Sequence, residues 1–161
     1  MKIRKATLND VEQIVQVHVQ TWKVSYRGYI KDVILDSGSY EFSEKRVAKM
    51  KVPVEKGLVF VAEEEGMVKG FIGLNEFEGT CAEIKVFYVL PDSQRNGFGK
   101  DLLFYVKEFL KSQGIKKINL FTLENYPISN QFYQKHGFKL TGNRQYLEWI
   151  ESFVQEYEIS L

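Results

Sequence analysis

The most informative segment of the chain covers residues 86–103 and reads VFYVLPDSQRNGFGKDLL. The apolar run at its start predicts a strand that ends at Pro91, and the apolar spacing at its end predicts a helix. A polar loop lies between them, with the pattern Gln94-x-x-Gly97-x-Gly99. The first turn of a helix leaves backbone N–H groups unpaired, and its dipole attracts anions. The segment therefore predicts a strand, loop and helix suited to a pyrophosphate.

The loop differs from two common phosphate-binding motifs. A P-loop needs a lysine followed by serine or threonine, whereas Lys100 is followed by Asp101, and the earlier glycine is missing. A Rossmann fingerprint needs a third glycine and a βαβ unit at the start of the chain, and both are missing. By spacing alone, the loop is equally consistent with two glycines that merely begin a helix. A second motif has to distinguish these interpretations.

Composition narrows the range of functions. The chain has 161 residues with 22 Lys+Arg and 21 Asp+Glu, a net charge of +1. This length predicts one domain over residues 1–161, and the charge balance argues against a nucleic-acid binder. Cys81 is the only cysteine, so we expect neither a disulfide nor a metal site. No apolar run approaches the about 20 residues of a membrane helix, and no signal peptide follows Met1. We therefore expect a cytoplasmic protein that acts away from membranes.

Hydrophobic spacing along the rest of the chain predicts alternating strands and helices. Helices are expected over Val11–Trp22, from Phe98 and from Ile128, with one or two short helices between Tyr26 and Met50. Prolines are expected between these elements. The expected strands are Lys2–Ala6, Leu58–Glu63, Val68–Glu76, Glu83–Leu90, Lys117–Leu123, Phe138–Thr141 and Phe153–Ser160. This order predicts an α/β fold with a mixed sheet and helices on both faces.

The second motif follows the strand at residues 117–123 and reads FYQKHGF over residues 132–138. Together with the glycine loop, it resembles the GNAT superfamily of acyl-CoA N-acyltransferases. The order of elements is similar to that family over essentially the whole chain. The resemblance implies a mixed, mostly antiparallel sheet of about six or seven strands, splayed at a central parallel pair. These would be the strand ending near Leu90 and the strand at residues 117–123, with acetyl-CoA as co-substrate in the gap.

The resemblance also implies which residues contact the cofactor. The backbones of Phe87 and Val89 would pair with the pantetheine arm, and the Val89 N–H would polarise the thioester carbonyl. Asn125 lies eight residues before Tyr133, where the family's asparagine usually lies seven before. Lys135 would reach the 3′-phosphate region, although an exposed lysine on a solvated helix face is the favoured alternative. The remaining expected contacts are Tyr88, Gln94, Arg95, Asn96, Gly97, Phe98, Gly99 and Lys100.

Two residues carry the expected chemistry. Tyr133 matches the family's general acid, which would stabilise the departing thiolate; a core tyrosine is the alternative. Glu83 matches a family position that often serves as base, and it is equally consistent with a solvent-facing strand glutamate. His18 lies on the apolar face of the first helix, where we expect a packed or substrate-cleft histidine and not a catalytic one. His136 lies at a helix end, where a capping or surface role is expected.

The acceptor is the least determined part of the expected function. Trp22, Tyr26 and Tyr29 lie in the region where the family varies most, and we take them as substrate residues. Aromatic rings and nearby acids suit a cationic amine, although nearby lysines offset the acids and the rings are also consistent with core positions. We expect direct acetyl transfer to an amine of a small molecule or peptide, with a homodimer possible. The alternative is a non-catalytic CoA-binding sensor or interaction module on the same fold.

Overall fold

The computed structural model describes residues 1–161, and all seven strands join one sheet. The spatial order is β1-β2-β3-β4-β5-β7-β6. Only β4 and β5 are parallel, and every other neighbouring pair is antiparallel. The strands are β1 Lys2–Lys5, β2 Val59–Glu64, β3 Met67–Leu74, β4 Cys81–Val89, β5 Lys117–Leu123, β6 Lys139–Leu147 and β7 Ser152–Ser160. The expected mixed, mostly antiparallel sheet is confirmed.

Helices cover both faces of the sheet, as expected. Two of them, α4 and α5, pack on one face around Leu102, Val106 and Tyr133. On the other face, α1 and α3 pack around Ile14 and Val54. None of the helices combines the length and apolar character needed to cross a membrane. The helices are α1 Val11–Ser25, α2 Asp32–Leu35, α3 Glu44–Glu55, α4 Phe98–Ser112 and α5 Pro127–Lys135.

Two sequence predictions about these elements were wrong. Pro53 does not lie between elements but inside α3, within the helix's last turn. The helix continues past it because Val54 is buried against the sheet, and this packing outweighs the hydrogen bond that proline removes. The strand expected at Phe138–Thr141 extends to Leu147 as β6. It is an edge strand with mostly exposed residues and an irregular register, so its polar sequence shows no alternation.

The sheet opens between its two parallel strands. The β4 and β5 pairing runs only from Cys81↔Lys117 to Ile84↔Leu120. Beyond that point β4 continues to Val89 paired with β3 alone, and β5 continues to Leu123 paired with β7 alone. The two strand ends therefore diverge and leave a gap in the middle of the sheet. This confirms the expected splay, and the gap determines where a ligand can enter.

Candidate active site

The gap opens into a cleft of about 740 Å³. Its walls come from the end of β4, the loop before α4, the length of α5 and the end of α1. Among the residues singled out from the sequence, those lining the cleft are Tyr26, Phe87, Tyr88, Val89, Gln94, Arg95, Gly97, Gly99, Lys100, Tyr133 and Lys135. Those outside its lining are Trp22, Tyr29, Glu83, Asn96, Phe98 and Asn125. The sequence motifs therefore converge on one site, with six exceptions.

The end of β4 offers free backbone groups to this cleft. Antiparallel neighbours alternate between residues that bond to the partner strand and residues that face away. The Leu90 N–H donates to the Lys69 carbonyl at 2.8 Å, so Leu90 and Tyr88 bond toward β3. The N–H and C=O groups of Phe87 and the N–H of Val89 consequently point toward the gap left by β5, whereas the Val89 carbonyl accepts a hydrogen bond from the Gln94 side chain. An extended ligand can add to β4 there as a strand would.

The loop before α4 has the backbone shape of an anion cradle. Arg95 and Gly97 both adopt positive φ, at 66° and 89°. Gly97 is the residue that precedes α4, so the unpaired N–H groups of the first helical turn face the loop. The side-chain amide of Gln94 donates to the Val89 carbonyl at 3.1 Å and fixes the loop against the strand end. These features bring backbone donors together at the cleft mouth.

The mouth of the cleft is positively charged. Arg95, Lys100, Lys135 and His136 line it, and no carboxylate does. Burial lowers the pKa of His136, and the positive charges of Lys135, Lys107 and Lys100 lower it further. His136 lies at the C-terminal end of α5, as expected, but its place in the lining of the cleft was not predicted, because a single histidine at a helix end gives no distinctive pattern. Its place directly after the FYQK motif was the available signal.

The inner end of the cleft is neutral and rich in tyrosine. The Tyr133 ring packs among Phe87, Phe132 and Phe138, with ring centroids 5.5–6.4 Å away. Burial raises the pKa of Tyr133 above its ordinary value. Burial also raises the pKa of Tyr26 to about 12, although a hydrogen bond with Tyr88 acts in the opposite direction. These phenols therefore keep their protons at neutral pH and act as hydrogen-bond donors.

Polar groups that the sequence motifs did not reveal also face this end. Thr21, Ser25, Thr122 and Ser129 line the cleft. The Thr21 hydroxyl is buried and has no hydrogen-bond partner. These residues come from three different elements and share no local pattern, which explains why sequence reasoning missed them.

Glu83 lies away from the cleft. It sits in the paired part of β4, opposite Asn119 of β5. Val89 lies six residues further along β4, which corresponds to a distance of about 20 Å. The structure therefore does not bring the expected base near Tyr133.

The side chains of two expected cofactor contacts, Phe98 and Asn125, do not line the cleft. Phe98 is buried in the core below α4. Asn125 is exposed, and its amide approaches the Tyr29 carbonyl at 3.4 Å. It is Asn130 that holds α5 in place, because its amide donates to the carbonyls of Leu123, Glu124 and Tyr126. The end of β5 and the start of α5 are thereby fixed together beside the cleft.

The expected substrate residues separate into two groups. Tyr26 faces the cleft, whereas Trp22 is only 4% exposed and stacks on Tyr40 with ring centroids 4.2 Å apart. Tyr29 packs edge-on against Tyr126 at 5.0 Å. Trp22 and Tyr29 are therefore better described as packed core residues than as residues that line the cleft.

Several known proteins are similar to this chain in sequence and in architecture. The family model described as the acetyltransferase (GNAT) family matches residues 20–138. The uncharacterized N-acetyltransferase YuaI of Bacillus subtilis is 33% identical over 140 residues, covering 84% of this chain and 78% of its own length. The spermidine N(1)-acetyltransferase of Thermoplasma acidophilum is 26% identical over 144 residues, covering 87% of this chain and 89% of its own.

The crystal structure of the PaiA N-acetyltransferase of Thermoplasma acidophilum, in complex with coenzyme A, has a similar fold. Its TM-score to this chain is 0.79, and the likeness covers 98% of both chains at 23% sequence identity. This likeness extends over all the elements that surround the cleft.

Proposed function

The chain belongs to the acetyltransferase (GNAT) family and is an N-acetyltransferase, and from this premise we propose that it moves an acetyl group from acetyl-CoA directly to an amine of a small molecule or peptide. The observation that carries the proposal is the gap between β4 and β5, where the backbone of Phe87 and the N–H of Val89 have no partner strand beside Tyr133. Because all seven strands join one sheet, we also propose that residues 1–161 act as one domain.

The residues around the gap fit coenzyme A along its whole length. The positive-φ loop and the start of α4 would hold the pyrophosphate, because their N–H groups and the charge of Lys100 face the same space. Lys135 and His136 would face the more distant phosphate. The backbone of Phe87 and Val89 would pair with the amide groups of the pantetheine arm. The ligand would supply an activated acetyl thioester at the inner end of the cleft.

Tyr133 would assist the departure of the thiolate by donating a hydrogen bond. An ordinary thiol has a pKa near about 8.5 and an ordinary tyrosine near about 10, so full proton transfer is already uphill. Burial raises the pKa of Tyr133 further and makes complete transfer harder. The hydrogen bond would stabilise the negative charge that develops on sulfur, while the Val89 N–H stabilises the charge on the carbonyl oxygen. The proton that sulfur finally gains would come from the attacking nitrogen.

The amine would enter the cleft in its neutral form. No carboxylate lines the cleft, Glu83 lies in the paired part of β4, and the tyrosines keep their protons at neutral pH. We therefore propose that the ammonium group loses its proton to solvent, and that the tyrosine-lined end favours the uncharged amine by desolvation. Rates should then rise with pH until the amine's own pKa is reached.

The test has two stages. Acetyl-CoA at 100 times its dissociation constant should stabilise the fold by about 2.7 kcal/mol, and ATP at the same concentration should not. Thiol release from acetyl-CoA should then depend on an added amine, with the acetylated product identified by mass spectrometry. Stabilisation without amine-dependent release over a broad amine panel would instead identify a CoA-binding protein that is not a transferase. Absence of stabilisation would remove the loop as a pyrophosphate site.

A further inference from the structure

A second cavity, of about 570 Å³, lies on the opposite side of the sheet from α4 and α5. It is bounded by α1, α3 and strands β2 to β4, and we call it the basic groove. Its lining includes four cationic side chains and one carboxylate, that of Glu76, which is bonded to Lys56. The cationic residues are Arg46, Lys49, Lys56 and Lys85. Arg46, Lys49 and Lys85 form no ion pair, so no carboxylate lies within ion-pair distance of these three charges.

The basic groove adjoins the acceptor end of the cleft across three rings, those of His18, Tyr40 and Tyr88, which we call the aromatic wall. The His18 ring lies 4.6 Å from that of Tyr88, which lines the cleft, and 5.2 Å from that of Tyr40, which lines the groove. The guanidinium of Arg46 lies 4.1 Å from the Tyr40 ring centre on the groove side. A ligand that extends past the wall from the cleft would therefore meet these cations next.

The aromatic wall does not supply a counter-charge. Burial lowers the pKa of His18 to about 4, and the charge of Arg46 acts in the same direction. The imidazole is therefore neutral at pH 7, and its Nε2 shares a hydrogen bond with the Tyr40 hydroxyl at 3.1 Å. Burial raises the pKa of Tyr40 as well, so its phenol remains uncharged. The cations of the basic groove thus lack any anionic neighbour in the wall.

We propose that the basic groove binds a carboxylate of the acceptor, so that the substrate is an amine that also carries a carboxylate at a distance. This inference rests on the proposed acetyl transfer and specifies its acceptor. Val86 lines the groove, and Val89 is the proposed thioester contact three residues along the same strand. Three residues of strand span about 10 Å. An α-amino acid is too short for this span, whereas an acidic tripeptide with a free N-terminus matches it.

The same geometry disfavours a polycation as acceptor. The cleft has no carboxylate to bind a second ammonium group, and the basic groove would repel it. Spermidine, which gives one relative its name, should therefore be a poor substrate here.

The experiment compares acceptors on the full chain with saturating acetyl-CoA. The acceptors are the peptide Ala-Ala-Glu, its uncharged counterpart Ala-Ala-Gln-amide, and spermidine. We expect kcat/KM for the acidic peptide to exceed that for the neutral peptide by about tenfold, the size of two partly exposed ion pairs. The preference should weaken at high salt because both charges are solvent-accessible. Spermidine should be the slowest acceptor.

The variant that tests the groove is Lys49→Gln/Lys85→Gln, which removes two unpaired charges. It should abolish the preference for the acidic peptide by raising KM for that peptide. The matched control is Lys45→Gln/Lys51→Gln. It removes the same amount of charge from two residues of α3 that do not line the groove, and it should retain the preference for the acidic peptide. Equal rates on all three acceptors, or equal effects of the two double variants, would overturn the inference while acetyl transfer stands.

A binding measurement tests carboxylate binding in the groove separately from acetyl transfer. Calorimetric titration of Ala-Ala-Glu into the protein saturated with coenzyme A involves no turnover. Binding that the Lys49→Gln/Lys85→Gln variant loses would support the groove even if no acceptor were acetylated, in which case the proposed transfer would fail alone. No detectable binding at millimolar peptide would reject the groove as a carboxylate site.

Discussion

The loop before α4 and the basic groove both attract anions, but they do so with different parts of the chain. The loop relies on backbone N–H groups, positive φ at Arg95 and Gly97, and the start of one helix. The basic groove relies on side chains that α3 and β4 bring together, including Arg46, Lys49 and Lys85. A backbone site requires particular conformations and therefore particular residues at fixed spacing, whereas a side-chain site can be assembled from many combinations of residues.

This contrast divides the enzyme into a half that recognises a constant ligand and a half that can change with the acceptor. The loop, the end of β4 and α5 surround one continuous cleft, which fits a cofactor common to a family. The basic groove depends on charges whose replacement leaves the sheet intact, since Lys49 and Lys85 are exposed and lack ion-pair partners. The two halves should consequently respond differently to mutation.

Tyr133 lines the cleft, and its hydroxyl should affect turnover alone. Tyr133→Phe keeps the ring among Phe87, Phe132 and Phe138 but removes the hydrogen bond to the departing sulfur. We expect kcat to fall about 100-fold or more, as for other positioned acids. The dissociation constants for acetyl-CoA and for Ala-Ala-Glu should not change, as measured by calorimetry.

The matched control is Tyr105→Phe, which removes the hydroxyl of a partly exposed tyrosine on α4. Its kcat should equal that of the wild type. A parallel loss of acetyl-CoA affinity in Tyr133→Phe would mean that the hydroxyl binds the cofactor and does not act on the leaving group.

Gly97→Ala should show that the loop depends on its backbone. A left-handed conformation costs an L-residue about 1–2 kcal/mol, and Gly97 has a φ of 89°. The free loop should relax away from this conformation and have to regain it on binding, so acetyl-CoA affinity should fall about fivefold to thirtyfold. Rates on acidic and neutral acceptors at saturating acetyl-CoA should keep their ratio.

Gly142→Ala provides the control for strain alone. Gly142 has a φ of 92° and open space around it, on the edge strand β6. The same substitution there should lower the free energy of unfolding by a similar amount and leave acetyl-CoA affinity unchanged. Loss of affinity in both variants would indicate a general loss of stability, and the loop would have no special role.

The same contrast explains which features could be read from the sequence. The strand, the loop and α4 are contiguous, so the spacing in residues 86–103 predicted their structure, whereas the pyrophosphate hypothesis also needed the second motif. The FYQKHGF motif placed Tyr133 and Lys135 in the cleft for the same reason. The splay between β4 and β5 followed from the family resemblance, because no local pattern encodes where two distant strands stop pairing.

Features that arise from distant segments were not predictable in this way. The aromatic wall combines α1, β4 and the segment after α2, and the basic groove adds α3. In the sequence, the lysines between Lys45 and Lys51 only offset nearby acids, and only the folded chain shows that Lys49 and Lys85 line one cavity. Glu83 is the opposite case. It is a suitable residue type on the expected strand, but it lies in the paired part of β4 and does not line the cleft.

His136 should give the loop half a small pH dependence that the basic groove lacks. Burial and the charges of Lys135, Lys107 and Lys100 hold its pKa below 6.5 in the free protein, and a bound phosphate would raise it. A group whose pKa rises on binding takes up a proton, so affinity is greatest below the free pKa and declines as pH passes the bound pKa. Wild-type affinity for coenzyme A should therefore exceed that of His136→Gln by a few-fold at pH 6 and match it at pH 8. The phosphate's own titration near about pH 6 cancels in this ratio, because both proteins bind the same ligand. His18 does not interfere, since its pKa is about 4.

Calorimetry at pH 6 in two buffers of different ionisation enthalpy should show proton uptake in the wild type and less in His136→Gln. Equal uptake in both would show that His136 does not face a phosphate.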